Sequence, residues 1–489
     1  MAGIRYKRAG ADQMSRIDER IAAHAVAAEK TWSLSYGRFS KAIARKKLKT
    51  GVEIGVAFGG HAEEILKSTK VNRLYGVDPY KHIKGYDDPM NLPQKEFNAL
   101  YKFVIRRLSA FGSRYTHIRE TSEKAVGRVV GNLDFVYIDA DHSYQGVWDD
   151  LITWYPKIND GGIIGGHDYG HPNFPGVKQA IDEFFRRFNW PINEMGEGVW
   201  WVEKKILSSS FIMPAYNAQD TIAASVESIF NGNFSSGDEL VVVNDCSTDK
   251  TLDVLKKLQK TFPEIKIINH KTNKGGGAAR NMAVKIAENH LIFCLDADNL
   301  LLPGSVPKLR DFLVESGADV ATFNTVRYFR TDPAKPTHEW RYKTSSASLE
   351  GALSTFKFPG ASGNYLFTKE SWVRAGRYPE ASGALDTWGF GFRQLATGSK
   401  MRVMSDSFYC HRYGHDSYWM RESRTGKTAS KALQLLTPFF NLLDEKDVRY
   451  IKSSEGRNSW FDNLEKRPIK LKKDNLKKTW RLRLRRLAG

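Results

Sequence analysis

An apolar run, Leu291-Ile-Phe-Cys-Leu295, stops abruptly at two carboxylates one residue apart, Asp296 and Asp298. Residues two apart on an extended chain point to the same side. Two acids at the mouth of a buried strand repel each other and lose hydration; a hard divalent cation that bridges to a phosphate relieves both costs. The carboxyl end of a strand in an open α/β sheet is also where such sheets bind ligands. Alone, Asp-x-Asp is a weak sign, because solvated loops carry many such pairs. Its neighbours strengthen it. Glu239-Leu-Val-Val-Val-Asn244 is another apolar run ending beside an acid, Asp245, able to accept hydrogens from a uracil or a ribose. Asn273-Lys-Gly-Gly-Gly-Ala-Ala-Arg-Asn281 is a glycine-rich turn into a helix, carrying in Arg280 a cation that can face phosphate.

These residues need elements to hold them, and the chain supplies alternating apolar runs and helical stretches twice over. In the first half, Gly51-Val-Glu-Ile-Gly-Val-Ala-Phe-Gly-Gly60 places glycines where a strand turns tightly into a helix and a ligand meets backbone. Arg73-Leu-Tyr-Gly-Val-Asp78 follows, a strand ending in an acid that can accept from both hydroxyls of a ribose over the first turn. Further strands are expected at Tyr115–Glu120, Leu133–Ala140, Gly161–Gly165 and Trp200–Lys205. The second half opens with a strand and turn, Phe211-Ile-Met-Pro-Ala-Tyr-Asn217. Such alternation predicts α/β architecture with two doubly wound sheets. We expect a helical cap over 1–50, a first domain over 51–205, a second over 206–427, and a helical extension with a basic tail over 428–489. The stretch 331–360 reads as a loop or insertion whose Trp340 and Tyr342 could stack on a sugar or pack on the surface.

At 489 residues the chain exceeds one core. Its net charge of +19 is uneven: residues 466–489 hold 11 Lys and Arg against one acidic residue. The remaining body is only mildly basic, which argues against a nucleic-acid binder. Leu476, Trp480, Leu484 and Leu487 of the tail would share one helical face, so it could lie on an anionic membrane, bind nucleic acid or be a solvated tail. Cys246, Cys294 and Cys410 form no metal spacing and suit reduced thiols. With no signal peptide or spanning run at hand, a cytoplasmic location follows, peripheral at the inner face of a membrane if the tail binds there.

The first set of motifs, Glu53-Ile-Gly-Val-Ala-Phe-Gly-Gly60, Asp78, Tyr137-Ile-Asp-Ala-Asp-His-Ser-Tyr144 and Gly161-Gly-Ile-Ile-Gly-Gly-His-Asp-Tyr169, resembles the class I S-adenosylmethionine-dependent methyltransferases. It is similar to a subgroup that includes metal-dependent O-methyltransferases of natural-product sugars. The resemblance covers about 50–205. It implies S-adenosylmethionine held by Glu53, Gly55, Gly59, Asp78 and Asp139, a magnesium ion on Asp139 and Asp168, and His142 as general base. A neutral imidazole near pH 7 suits that last role. His167 stands where the subgroup has an acid, which leaves open a metal-free site ordered by Asp139 and Asp168.

The second set, Pro214-Ala-Tyr-Asn217, Asn244-Asp-Cys-Ser-Thr-Asp249, Gly275 to Asn281 and Asp296-Ala-Asp298, resembles the family 2 glycosyltransferases of GT-A fold over about 206–415. Asn244 departs from the usual acid. The resemblance implies a nucleotide-sugar donor bound by Pro214, Tyr216, Asn217, Asp245, Gly275, Arg280 and Asp296. Asp245 would take the base and Asp296 the ribose or metal. Asp298 would hold manganese or magnesium on the diphosphate, with His411 or its rival His415 as a further ligand. In the acid pair that precedes an aromatic helix ending in Arg393, Leu385 replaces the first acid and Asp386 keeps the second. Asp386 is therefore the base expected to deprotonate an acceptor hydroxyl, or else a helix N-cap. Together the two sets predict a bifunctional enzyme of surface-glycan assembly, joining inverting glycosyl transfer onto a glycan or glycolipid to O-methylation of a sugar hydroxyl. The alternative is a glycosyltransferase with a non-catalytic methyltransferase-like binding module; a nucleic-acid methyltransferase is disfavoured by the charge distribution.

Overall fold

The computed structural model describes residues 16–85, 90–354, 358–414, 418–425, 427–453 and 471. His415 and the tail face expected at Leu476–Leu487 lie outside them. The chain divides into two compact units, one of residues up to 186 with 190–206, the other of 187–189 with everything from 207 onward.

The first unit begins with α1 (Arg16–Lys46), whose Ile21, Ala25 and Ala28, then Phe39 and Ile43, fall at helical spacing and are buried. It packs on α2 (Gly60–Ser68) and α3 (Gln94–Leu108), so this helix is part of the core. The strands are β1 (Thr50–Ile54), β2 (Arg73–Val77), β3 (Tyr115–Ile118), β4 (Leu133–Ile138), β5 (Ile158–Gly166), β6 (Asn193–Gly196) and β7 (Val199–Glu203). Short α4 (Ser122–Ala125), then α5 (Tyr144–Trp154) and α6 (Pro175–Arg186), complete the windings. The sheet order is β3-β2-β1-β4-β5-β7-β6, parallel except at β7, which runs antiparallel to both β5 and β6. The winding order switches between β1 and β4, which are parallel neighbours, so the loops after these strands open onto a crevice. All but the first residue of β1, and all but Asp134 of β4, are buried, as strands covered on both faces must be.

The second unit runs β8 (Ser209–Ala215), α7 (Ile222–Phe230), β9 (Glu239–Asn244), α8 (Thr251–Thr261), β10 (Ile265–Asn269), α9 (Gly276–Ile286), β11 (Leu291–Cys294) and α10 (Ser305–Glu315). There follow β12 (Val320–Phe329), β13 (His338–Arg341), α11 (Leu349–Ser354), β14 (Leu366–Thr368), α12 (Lys369–Arg374), α13 (Asp386–Ala396) and β15 (Met401–Arg412). Helices α14 (Tyr418–Ser423), α15 (Thr428–Leu436) and α16 (Glu445–Lys452) end the described chain. Its sheet order is β10-β9-β8-β11-β14-β12-β13, with β15 on β12. Strands β8 to β11 are mutually parallel, so four loops leave the same edge. The stretch expected as loop or insertion contains β13, where Trp340 sits opposite Val326 on an antiparallel edge strand. No described helix is long and apolar enough to cross a membrane. The cysteines are free thiols, with Cys294 and Cys410 buried.

Candidate functional sites

The parallel edge of the second unit gathers the first site. Asn217 takes a positive φ of 49°, and its side-chain oxygen accepts from the Thr248 N–H at 2.8 Å while its own N–H donates to Ser247 Oγ at 3.0 Å. The loops after β8 and β9 are thus laced together. Pro214 stands at the end of β8 and Tyr216 projects from the loop, 45 % exposed, as a flat apolar face. Asp245 is buried. It accepts from the N–H groups of Lys274 at 2.9 Å and Gly275 at 2.7 Å, and pairs with His270 Nδ1 at 2.6 Å. Asp245 therefore fixes the glycine-rich turn, and Gly275, at φ 86°, opens α9 from it. His270, one residue past β10, was not legible as a site residue; a histidine ending a strand beside an acid-bearing loop is its only signal.

One turn into α9, Arg280 binds two acids from distant parts of the chain. Its Nη2 lies 2.6 Å from Asp296 Oδ1 and its Nη1 2.5 Å from Asp386 Oδ2. Both Nη atoms are spent on carboxylates, so the cation that the glycine turn offers to a phosphate is already engaged. Asn364 also holds Asp296, accepting its N–H at 2.9 Å and donating to Oδ2 at 3.0 Å. Asp386 is the first residue of α13 and is buried. Burial pushes its carboxyl up, and Arg280 pulls it back. Among the described residues its Oδ1 accepts from the adjoining Thr387 N–H at 2.7 Å and from no later N–H of the helix.

Asp298 lies two residues beyond Asp296 and is half-buried. Its carbonyl accepts from Arg412 Nε at 3.2 Å, and Leu300 and Cys410 exchange two backbone hydrogen bonds of 2.9 Å. That pairing brings the end of β15, with His411, beside the Asp-x-Asp loop. His411 stands edge-on to Tyr328 at 5.2 Å. Among the described residues Asp296, Asp298 and His411 do not converge as three ready-made ligands; the only such group is in the first unit. Carboxylates with a nearby imidazole fit a manganese or magnesium ion whose shell is completed by phosphate and water.

In the first unit the crevice between β1 and β4 holds the second site. Gly55, at φ 85°, passes so close to β4 that a Cβ would lie 1.9 Å from the Asp139 carbonyl. Gly59, at φ 76°, is the left-handed N-cap of α2. Asp78 accepts from the N–H groups of Val56 and Ala57, each at 3.2 Å, and of Tyr80 at 2.8 Å. Burial pushes it up to about 6 against those three bonds. Glu53 is buried under the glycine turn, 2.9 Å from His61 Nδ1, with burial pushing its carboxyl up. It supports the turn from below.

Asp139, His142 and Asp168 offer ligand atoms all within 4.8 Å of one another. His142 Nε2 is 3.0 Å from Asp168 and 3.6 Å from Asp139, and its ring stacks on Phe174 at 4.2 Å. Burial pulls His142 down, but its bonds to the two acids outweigh that and push it up to about 10. Burial likewise raises Asp168, yet His142 and His167 hold it well below the ordinary carboxylate range. So arranged, His142 lies between two carboxylates, which favour its protonated form. His167 Nδ1 lies 3.2 Å from Asp168, in the place of the second acid. Two carboxylates with one or two imidazoles fit a divalent cation, better manganese than magnesium because of the nitrogen donors. Asp139, His142, His167, Val177 and Trp200 line one small cleft.

Residues 52–169 match the family model described as a methyltransferase domain, and residues 210–372 match the model of glycosyl transferase family 2. One match falls in each unit of the chain, consistent with a fusion of these two kinds of domain. The chain is 33 % identical over 113 residues to a poly(ribitol-phosphate) beta-glucosyltransferase of Bacillus spizizenii, covering 23 % of this chain and 18 % of that one. It is 38 % identical over 91 residues to a UDP-Glc:alpha-D-GlcNAc-diphosphoundecaprenol beta-1,3-glucosyltransferase of Escherichia coli, covering 19 % and 35 %. The chain spans less than half the length of these curated relatives. The solved structure of S. aureus TarS 1–349 with UDP-GlcNAc overlaps at a TM-score of 0.43 and 20 % identity, over 57 % of this chain and 80 % of that one.

Proposed function

We propose that the chain is a bifunctional glycan-modifying enzyme, with inverting glycosyl transfer in the second unit and S-adenosylmethionine-dependent O-methylation, of a sugar hydroxyl, in the first. The observation that supports the first activity is that Asp245, Asp296 and Asp298 lie on loops at one sheet edge within the family 2 match, with Asp386, beyond the match, joined to Asp296 through Arg280. The donor is a nucleotide-sugar. Its base and ribose lie against the loops of Tyr216, Asn217 and Asp245, with Asp296 toward the ribose and Asp298 toward the diphosphate. Asp386 takes the proton of the acceptor hydroxyl as that oxygen bonds to the anomeric carbon from the face opposite the departing nucleotide diphosphate. One carboxylate is sufficient for that transfer. A divalent cation, when bound at Asp298 and His411, offsets the negative charge that develops on the leaving group. Acceptors of the class named for the relatives, polyol-phosphate or lipid-linked glycans, suit this chain, and the basic tail would bring it to an anionic membrane that carries them.

For the first unit, the strand order, the left-handed glycine turn and the acid ending β2 support S-adenosylmethionine at the crevice, where it would supply an electrophilic methyl group. Asp139 and Asp168 orient the site and would hold a divalent cation. Calorimetry tests the pair of readings: S-adenosylmethionine should bind the wild-type chain, and turnover with a glycan acceptor should yield S-adenosylhomocysteine and a methylated glycan. Failure to bind it would leave a methyltransferase-like module that only docks or scaffolds. Nucleotide-sugars should bind independently of it.

A further inference from the structure

Arg280 is 7 % exposed, and nothing in its sequence context foretells its partners, since one lies 16 residues away and the other 106. A buried guanidinium bound to two carboxylates is costly to assemble unless every charge is met. Here α9 is shaped to admit it. Gly276 leaves room where a Cβ would stand 2.7 Å from both Arg280 Nη1 and Asp386 Oδ2, and Gly277 lets Pro379 pass with its carbonyl 2.5 Å from a Cβ position. The next residue, Asn281, ties the segment before α13 to α9, donating to the Tyr378 carbonyl at 2.9 Å and Glu380 at 2.8 Å. Helix α9 thus reaches both the loop that bears the donor-side acid and the start of the helix that bears the base.

We propose that Arg280 is a positioning residue for sugar transfer, acting through Asp386: it holds the base ionised and aimed, and ties it to Asp296 so that donor side and acceptor side form one rigid unit. This rests on the reading of Asp386 as the base. The other groups that face Asp386 are Asp296 from the β11 loop, Cys294 from β11, Tyr378 ahead of α13 and Tyr418 from α14. Behind the turn, Glu422 accepts the Ala384 N–H and is paired with Lys431. Arg280 is the one cation directly on Asp386 among the described residues. A guanidinium at this range lowers a carboxylate pKa by roughly 1–3 units. Its loss must therefore move the acid limb of the rate profile to higher pH.

The test measures nucleotide release from a donor against pH for the wild type, Arg280→Lys, Arg280→Ala and Asp386→Asn, with guanidinium ion added back to Arg280→Ala. Arg280→Lys keeps a cation and guards against a variant that does not fold. The expected result is a fall in kcat of at least about tenfold for Arg280→Lys, as a forked contact becomes a point contact. Arg280→Ala should lose more, with the acid limb raised by about one pH unit or more, and guanidinium should restore part of kcat and return the limb. An acid limb unmoved in folded Arg280 variants, with no rescue, overturns the proposal. If Asp386→Asn keeps its activity, the reading of the base fails first, whatever Arg280 does. If Asp386→Asn is inactive while Arg280→Lys matches the wild type at every pH, the base stands and the role of Arg280 falls.

Discussion

Gly276→Ala separates the geometry of the Arg280 bridge from the stability of the fold. Gly276 is the first residue of α9, where alanine is the better helix former by up to about 1 kcal/mol. Yet the new Cβ would sit 2.7 Å from both Arg280 Nη1 and Asp386 Oδ2, where ordinary contact starts at 3.4 Å. The two charged groups must retreat by about 0.7 Å, either apart or together. Misplacing a catalytic group by about 1 Å costs roughly a hundredfold. The expected loss in kcat/KM is thus about 10- to 100-fold, or about 1.4–2.7 kcal/mol of transition-state stabilisation. Initial rates of nucleotide release give this loss, and urea denaturation gives the stability of the fold. The reasoning is refuted by a variant that unfolds at or above the wild-type midpoint and transfers sugar at the wild-type rate.

Other perturbations probe separate parts. Gly55→Ala should prevent S-adenosylmethionine binding by calorimetry and destabilise the first unit, since its φ of 85° and a Cβ 1.9 Å from the Asp139 carbonyl leave no room. In the second unit, Asp245→Asn should weaken nucleotide binding by loosening the Lys274–Gly275 turn, with little change in the midpoint of the first unit's unfolding. The pH dependence of stability has a marker in His117, pulled down to about 4 by burial from 6.5. Because the unfolded chain takes up this proton first, its contribution is full above pH 6.5 and is lost as the pH falls toward 4, about 3 kcal/mol in all. Asp78, pushed up to about 6, works in the opposite sense, so the comparison is of wild type with His117→Gln: the difference in unfolding free energy should shrink on acidification, and a constant difference would contradict it.

Much of both units was legible because parallel strands buried on two faces are apolar runs, and their last residues are the ones that meet ligands. Asp78, Asp139, Asp245 and Asp296 all announce themselves in this way. The edge elements were less legible. Strand β6 (Asn-Glu-Met-Gly) and β13 (His-Glu-Trp-Arg) carry no apolar run, because an edge strand faces solvent and is defined by its partner. Protonation and pairing were the least legible of all. The resemblance puts His142, Asp139 and Asp168 in one site, but the direct contact of His142 with Asp168 appears only in the fold. In the same way Arg280 reads as a free cation until α13 folds back and gives it Asp386. Such contacts are long-range and leave no local spacing to read.

The central claim, two transferase sites on one chain, is tested most directly by one pair of proteins in one reaction. Wild type and Asp298→Ala are supplied with S-adenosylmethionine, manganese and a panel of UDP-, GDP- and dTDP-sugars, and released nucleotide and transferred methyl are followed together. We predict release from one donor class that Asp298→Ala abolishes while its methyl transfer continues at the wild-type rate. Release that survives in Asp298→Ala, or both activities lost together in a folded variant, would contradict the account.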